Sequence, residues 1–550
     1  MRRLWALACA VLALASSGCP SSARTTPDGG RGDAGSIADV PTPEGLILKA
    51  ALRDPDALWA RAQRGAGGPL ALLPSTFSGL ATALVGADGP LGVDGHATSF
   101  AAVVARAERD SGMGWAIAMP AAGDARAPTA RPDASFVWER EPGWLVLASD
   151  SQTLASVGPY VARRLPSDAS LVSAASFTAI APASAVAGPV ATRLTARWAA
   201  TRAWLLESAR TEREAHGGRA PDFTDPVAIV DTADAMVKAC VTRLAGAGDV
   251  RIEGDAGDDD LRVDLRATPT SAPDLGDGGA ASADALGDTR PLAELPSDTP
   301  LALLVRSSPG PREEFARKLS VTGAYLLASG APAFEAGMEE AALEWARATG
   351  DWMTLSLAGV GGVTGPALWI RTPVASGSNT NGNASRAVHD LFALSKRPPL
   401  RTLLEGPLHV GPAVFGPDTG GVSSATFSPV DGRRAPNAPN GSPGAVWSVE
   451  GDRLSLVVGP EPLRRMTQAA APTPPMQADD ARTARVLSAV GEGVAWALLA
   501  QPLRFGRTGA AAPSAPFVVA GGARAGGLWA RVDVADELFA EGVRLGGGLF

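Results

Sequence analysis

The strongest constraint on this chain is a segment that occurs twice. Val137-Trp138 is followed by Glu141, Leu145, Leu147 and Leu154, and Val446-Trp447 by Glu450, Leu454, Leu456 and Leu463. All six positions match at a constant offset of 309 residues with no gap. A chain that repeats itself over such a span is expected to build one supersecondary unit twice. The unit reads as a strand carrying Val-Trp, a polar turn holding Glu, a strand alternating Leu-x-Leu, and a short helix.

Two further pairs point the same way. Leu165-Pro166-Ser167-Asp168 precedes Leu171, and Leu295-Pro296-Ser297-Asp298 precedes Leu301. Arg262-Val263-Asp264-Leu265 and Arg531-Val532-Asp533-Val534 each lie in an alternating strand. Such alternation means one buried and one wet face, as in antiparallel sheet. Hairpins are expected between 250–253 and 261–265, between 352–357 and 367–370, and between 517–519 and 528–534.

Helices are expected between the strands. Asp225-Pro226 is a good start signal, and Val230, Val237, Cys240, Val241 and Leu244 follow as one stripe. Val190, Leu194, Trp198 and Leu205 form another, as do Phe315 and Leu319, then Phe334, Met338, Ala342 and Trp345. The expected fold class is α+β: two similar halves, each with antiparallel sheet and hairpins packed against long amphipathic helices. The halves run over 44–269 and 291–550, joined by a Gly/Ala/Ser/Asp-rich linker at 270–290.

The first residues read as an export signal. Arg2 and Arg3 precede an uninterrupted apolar stretch from Leu4 to Ala15, too short to span a bilayer, and Ser16, Ser17, Gly18 and Cys19 follow. Gly18-Cys19 resembles the lipobox of bacterial lipoproteins, with Ser16 where leucine is usual. That resemblance implies a signal peptide over 1–18, a lipid-modified Cys19 as the new N-terminus, and a flexible tether over 19–43. Ala13-Leu14-Ala15 offers a rival cut that would release a product beginning at Ser16. Pro20 stands where aspartate would mark inner-membrane retention, so the resemblance implies an outer-membrane anchor. Arg31-Gly32-Asp33 in the tether reads as a chance triplet.

Composition narrows the partners. Of 49 basic residues only Lys49, Lys238, Lys318 and Lys396 are lysines, as in proteins of GC-rich genomes. The net charge is −8, and losing Arg2 and Arg3 with the signal makes the body −10. An acidic body argues against nucleic acid, whose non-specific binding needs cations against phosphates. Cys9 leaves with the signal and Cys19 is the lipid site, so Cys240 has no disulfide partner in the body.

Catalytic patterns are missing. His96, His216, His389 and His409 show no metal-ligand spacing. His389-Asp390 reads as a surface pair, and His216-Gly217 as a helix end. There is no G-x-S-x-G elbow or Walker loop. Asp255, Asp258, Asp259 and Asp260 offer oxygen ligands for Ca²⁺ but lack the order of a calcium loop, and a solvated turn is the preferred reading. No cofactor, metal site or catalytic residue is expected.

The expected function is therefore a non-catalytic cell-envelope lipoprotein that binds or scaffolds, held to the membrane by its N-terminal lipid, with an envelope protein or lipid as partner. A periplasmic carrier of a lipid or other apolar ligand, and an enzyme with an unrecognised site, are the alternatives. In style the chain resembles uncharacterised envelope lipoproteins of GC-rich Gram-negative bacteria such as myxobacteria.

Overall fold

A computed structural model describes residues 40–66, 73–85, 91–106, 113–122, 136–215, 248–257, 260–268, 286–296, 299–317, 332–358, 366–376, 380–405, 410–428, 443–470, 480–504, 514–524 and 527–538, with isolated positions between 230 and 246 and at 430. The strands are β1 (Leu46–Leu52), β2 (Ser99–Ala105), β3 (Met113–Pro120), β4 (Val137–Glu141), β5 (Trp144–Ala148), β6 (Phe177–Ala181), β7 (Val250–Ala256), β8 (Asp260–Ala267) and β9 (Leu301–Arg306). They continue as β10 (Trp352–Ala358), β11 (Ala367–Pro373), β12 (Val414–Phe415), β13 (Val422–Thr426), β14 (Pro443–Glu450), β15 (Arg453–Pro460), β16 (Val494–Ala500), β17 (Phe517–Arg524) and β18 (Gly527–Ala535).

All eighteen strands belong to one antiparallel sheet. This overturns the expected pair of α+β halves built on long amphipathic helices. The longest helix, α1 (Ala191–Ala215), shows why. Its first residue, Ala191, is buried, but Leu194 and Trp204 are 38% and 49% exposed. Trp198 uses its indole N–H to reach the Asp234 carboxylate at 2.9 Å. Polar residues interleave with the apolar ones on every side, so the apolar spacing does not become a packed face. Phe315, also expected in a core stripe, is exposed.

Within the single sheet the same strand order occurs twice. The first run is β4-β5-β3-β2-β1-β6-β7. The second is β14-β15-β11-β10-β9-β16-β17-β18. β7 leads through a turn, closed by Gly257 N–H donating to the Asp260 carbonyl at 2.8 Å, into β8. That strand occupies in sequence the place β18 holds in the second run. β12 and β13 lie outside β14 and have no counterpart among the described residues of the first run. Compact units divide the strands at the same turn, with β1–β7 in one and β8–β18 in the other.

The Val-Trp segments are equivalent hairpins. Glu141 pairs with Trp144 across Pro142-Gly143, and Glu450 with Arg453 across Gly451-Asp452. Each two-residue loop has glycine at positive φ, +81° at Gly143 and +62° at Gly451, where a side chain would be strained. Leu145, Leu147, Leu454 and Leu456 are all buried. The Leu-Pro-Ser-Asp pair is different. Leu165–Asp168 stands between β5 and β6, whereas Leu295 precedes β9, the counterpart of β1. Those two matches are not structural equivalents.

The Arg-Val-Asp motifs meet each other. β8 pairs with β18 so that Val263 faces Val532, Arg262 faces Asp533 and Asp264 faces Arg531. An antiparallel pair centred on one motif residue is self-complementary, as in an isologous two-fold interface. Arg531 holds Asp264 in a fork, Nε to Oδ1 at 2.7 Å and Nη2 to Oδ2 at 3.2 Å. Helix α2 (Ala481–Val490) packs on this side, and its C-terminal carbonyls Ala489 and Val490 accept from Arg531 and Arg524. Cations at a helix C-terminus complement its dipole. Leu487, Val490, Leu304, Leu499 and Val518 form the core beneath.

Removing one partner of a buried ion pair leaves an uncompensated charge. Asp264→Ala is expected to destabilise the protein by about 3 kcal/mol in urea unfolding. The double replacement Asp264→Leu, Arg531→Met is expected to recover most of that loss.

Candidate functional site

The polar groups divide into those the fold satisfies and those it does not. Two aspartates, Asp150 half-buried and Asp480 buried, belong to the first kind. Asp150 caps helix α3 (Ser151–Pro159), accepting from Thr153 N at 2.9 Å and Oγ1 at 2.8 Å, Ser149 Oγ at 2.9 Å and Arg106 Nη1 at 2.8 Å. Burial pushes its carboxyl up, but these donors together outweigh burial and hold it at about 2. Asp480 caps α2 in the same way, accepting from Thr483 N at 3.0 Å, Ser514 Oγ at 2.7 Å and Arg504 Nη2 at 3.0 Å. Capping requires an acceptor for the first free N–H groups, and here the acceptor is fully engaged.

Asp533 is the contrary case. It is 3% exposed, and its Oδ2 has no hydrogen-bond partner among the described residues. Burial raises its carboxyl to about 7, with Asp260 and Asp264 adding to the rise and Arg531 and Arg262 opposing it. Next to it on β18, the Arg531 guanidinium is committed to Asp264.

The densest set of unsatisfied donors lies elsewhere, on one face of β10, β11 and β15. Cross-strand partners in a sheet share a face. Thr354 faces Arg371, which faces Ser455, which faces Ser448. One row along, Ser356 faces Trp369, which faces Val457. Thr354 is 0% and Trp369 6% exposed. Thr354 Oγ1, Trp369 Nε1 and Arg371 Nε have no hydrogen-bond partner among the described residues. The Arg371 guanidinium lies 4.3 Å over the Trp369 ring, and its Nη1 donates to the Glu294 carbonyl at 3.3 Å. Arg453 pairs with Glu294 at 2.9 Å and stands 5.6 Å over Trp352. Burial depresses the Arg371 pKa and the Arg453 charge adds to this, while Glu294 and Glu450 oppose it.

The first strand run shows that the fold does not require these polar groups. The offset that aligns Val146 with Ser455 aligns Ala148 with Val457. Through the registers, Ala118 then answers to Arg371, Phe100 to Thr354, Ala116 to Trp369 and Ala102 to Ser356. All four belong to an apolar core around Val146, Val157 and Leu165. In the second run, helix α4 (Pro462–Ala470) brings Met466 against Trp369.

The residues singled out from the sequence are scattered. Cys19, Cys240, His216, His409, Asp258 and Asp259 lie outside the described residues. Asp255 accepts from Ser176 N at 3.0 Å, and Asp260 opens β8. His389 Nδ1 is 3.1 Å from Asp390 and its ring stacks on Phe415 at 4.0 Å. His96 is exposed and meets Asp54 at 3.1 Å, a contact that raises the histidine pKa. Asp54 also caps its own helix by accepting from Ala57 N at 3.0 Å. Among the described residues, no group of three or more His, Cys, Asp or Glu is placed to hold a metal ion. None of their helices is long and apolar enough to cross a membrane.

Thr354, Trp369 and Arg371 escaped the sequence reading. The signal was the alternation Met353-Thr354-Leu355-Ser356-Leu357, which reads as a wet face and is in fact a buried one. Comparison with protein-family models, curated proteins and solved structures gave no match to this chain.

The two shifted aspartates bend the stability–pH curve in opposite directions. Asp533, raised when folded, contributes most below about pH 4, and that contribution is lost as pH rises through about 7, up to about 4 kcal/mol. Asp150, lowered when folded, contributes above about pH 4, and about 2 kcal/mol is lost as pH falls to about 2. Unfolding free energies measured across this range are expected to lose their fall between about pH 4 and about 7 in Asp533→Asn. The acid-side fall is expected to shrink in Asp150→Ala.

Proposed function

We propose that this protein is a non-catalytic cell-envelope lipoprotein that acts as a binding or scaffold module, tethered through Cys19. The observation that carries the binding part is the buried polar face of β10, β11 and β15. The first strand run completes an apolar core at the corresponding positions, whereas the second keeps three donors without partners among the described residues. Leaving a buried donor unsatisfied costs about 1–3 kcal/mol, so such a set is retained at the expense of stability. Stability given up at a defined place is the usual mark of a site that meets something else. The engagement of Asp150 and Asp480 in helix caps also favours binding over acid–base chemistry at those carboxylates.

The export part rests on Arg2, Arg3, the apolar run and Gly18-Cys19. A lipid at Cys19 followed by a polar tether holds a body off a membrane while leaving it free to engage an envelope partner. The acidic body makes nucleic acid an unsuitable partner.

Mass spectrometry of the mature N-terminus tests the anchor. A diacylglyceryl-modified Cys19 is expected, and a free Ser16 would refute it. A pull-down of the full-length protein from its native envelope, with lipids and proteins identified together, tests the binding reading. A specific companion lost in Arg371→Met is expected.

A further inference from the structure

The polar face has a chemical bias that names its ligand class. Of its three unpartnered groups, Trp369 Nε1 and Arg371 Nε can only donate, and the Thr354 hydroxyl can donate. Arg453 is committed to the Glu294 carboxylate. Arg371 has no ion pair among the described residues, and its Nη1 donates to the Glu294 main-chain carbonyl. The face therefore holds one uncommitted positive charge beside several free donors. Glu294 and Glu450 both act on Arg371 from nearby, which sets a limit on the negative charge it can accept. A dianion would meet two carboxylates, whereas a monoanion would be matched by one guanidinium. A planar group suits a guanidinium that presents a flat fork of donors. Trp369 and Trp352 flank the site, each with a guanidinium near its ring, and add apolar surface on either side.

We propose that Thr354, Trp369 and Arg371 form a binding site for a carboxylate-bearing ligand. Arg371 supplies the charge, and Trp369 and Thr354 supply neutral donors that fix its orientation. The inference rests on the binding-module reading and adds the ligand class to it. The first strand run is the internal control for these positions: Phe100, Ala116 and Ala118 stand there and carry no side-chain donor.

The test is a titration of the full-length protein with benzoate and, separately, acetate, followed through the indole N–H resonance of Trp369. That resonance is assigned by its loss in Trp369→Phe. A saturable shift at millimolar carboxylate is expected in the wild type and is expected to disappear in Arg371→Met. Thr354→Val, a nearly isosteric change, is expected to weaken binding several-fold while raising the melting temperature of the unliganded protein. It provides a second reading should Arg371→Met not fold. Absence of any saturable shift overturns the proposal. So does a shift that persists in Arg371→Met, or saturation by inorganic phosphate without either carboxylate. A specific envelope companion found alongside any of these results would leave the binding-module reading standing and remove only the ligand class.

Discussion

The pairing of β8 with β18 is the interaction on which the end of the second strand run depends. Sheet edges expose unpaired N–H and C=O groups, and a strand run with an open edge is prone to unwanted pairing. Here β8, a strand of the second compact unit, lies against β18 through the same Arg-Val-Asp motif read in opposite directions. Cross-strand opposition places each arginine opposite an aspartate. One of those combinations becomes a bidentate ion pair, Asp264 with Arg531. The other leaves Asp533 buried with one oxygen unpartnered, so the pair is symmetric in sequence and asymmetric in chemistry. The C-terminal carbonyls of α2 accept Arg531 and Arg524 and thereby tie helix to sheet at the same place.

The two strand runs solve the same topology with different chemistry. In the first, Ala116, Ala118 and Val146 close an apolar core with Val157 and Leu165. In the second, the matching face carries Trp369, Arg371 and Ser455. Because the topology is held constant, the difference isolates what the second run carries beyond the requirements of folding. The second run also has the added β12 and β13 and an aromatic cluster in which Trp447 stacks on Phe392 at 5.9 Å and donates to Ser385 at 2.9 Å.

How much of this was legible in the sequence depended on how local the signal was. The Val-Trp hairpins were legible, since two-residue loops with glycine fix register over a few residues. The strand pairs β10–β11 and β17–β18 were legible for the same reason. The pairing of β8 with β18 was not, because 267 residues separate Asp264 from Arg531 and nothing local announces that partner. The helical stripe through Leu194 and Trp198 misled, because apolar spacing shows what a helix can bury and not what covers it. The Leu-Pro-Ser-Asp match misled because loop residues before a strand recur for local turn reasons. The polar face was hidden by alternation itself: Thr354 and Ser356 look solvent-facing until the registers place Arg371 and Trp369 beside them.

Amide hydrogen exchange at Val263 and Val532 tests the β8–β18 pairing most directly. If β8 is held on β18 as described above, both amide groups exchange only through the global opening of the second unit, with matching free energies. If β8 instead exchanges rapidly, as a free edge does, while β17 and β18 stay protected, β8 is not held on β18 and the pairing is contradicted.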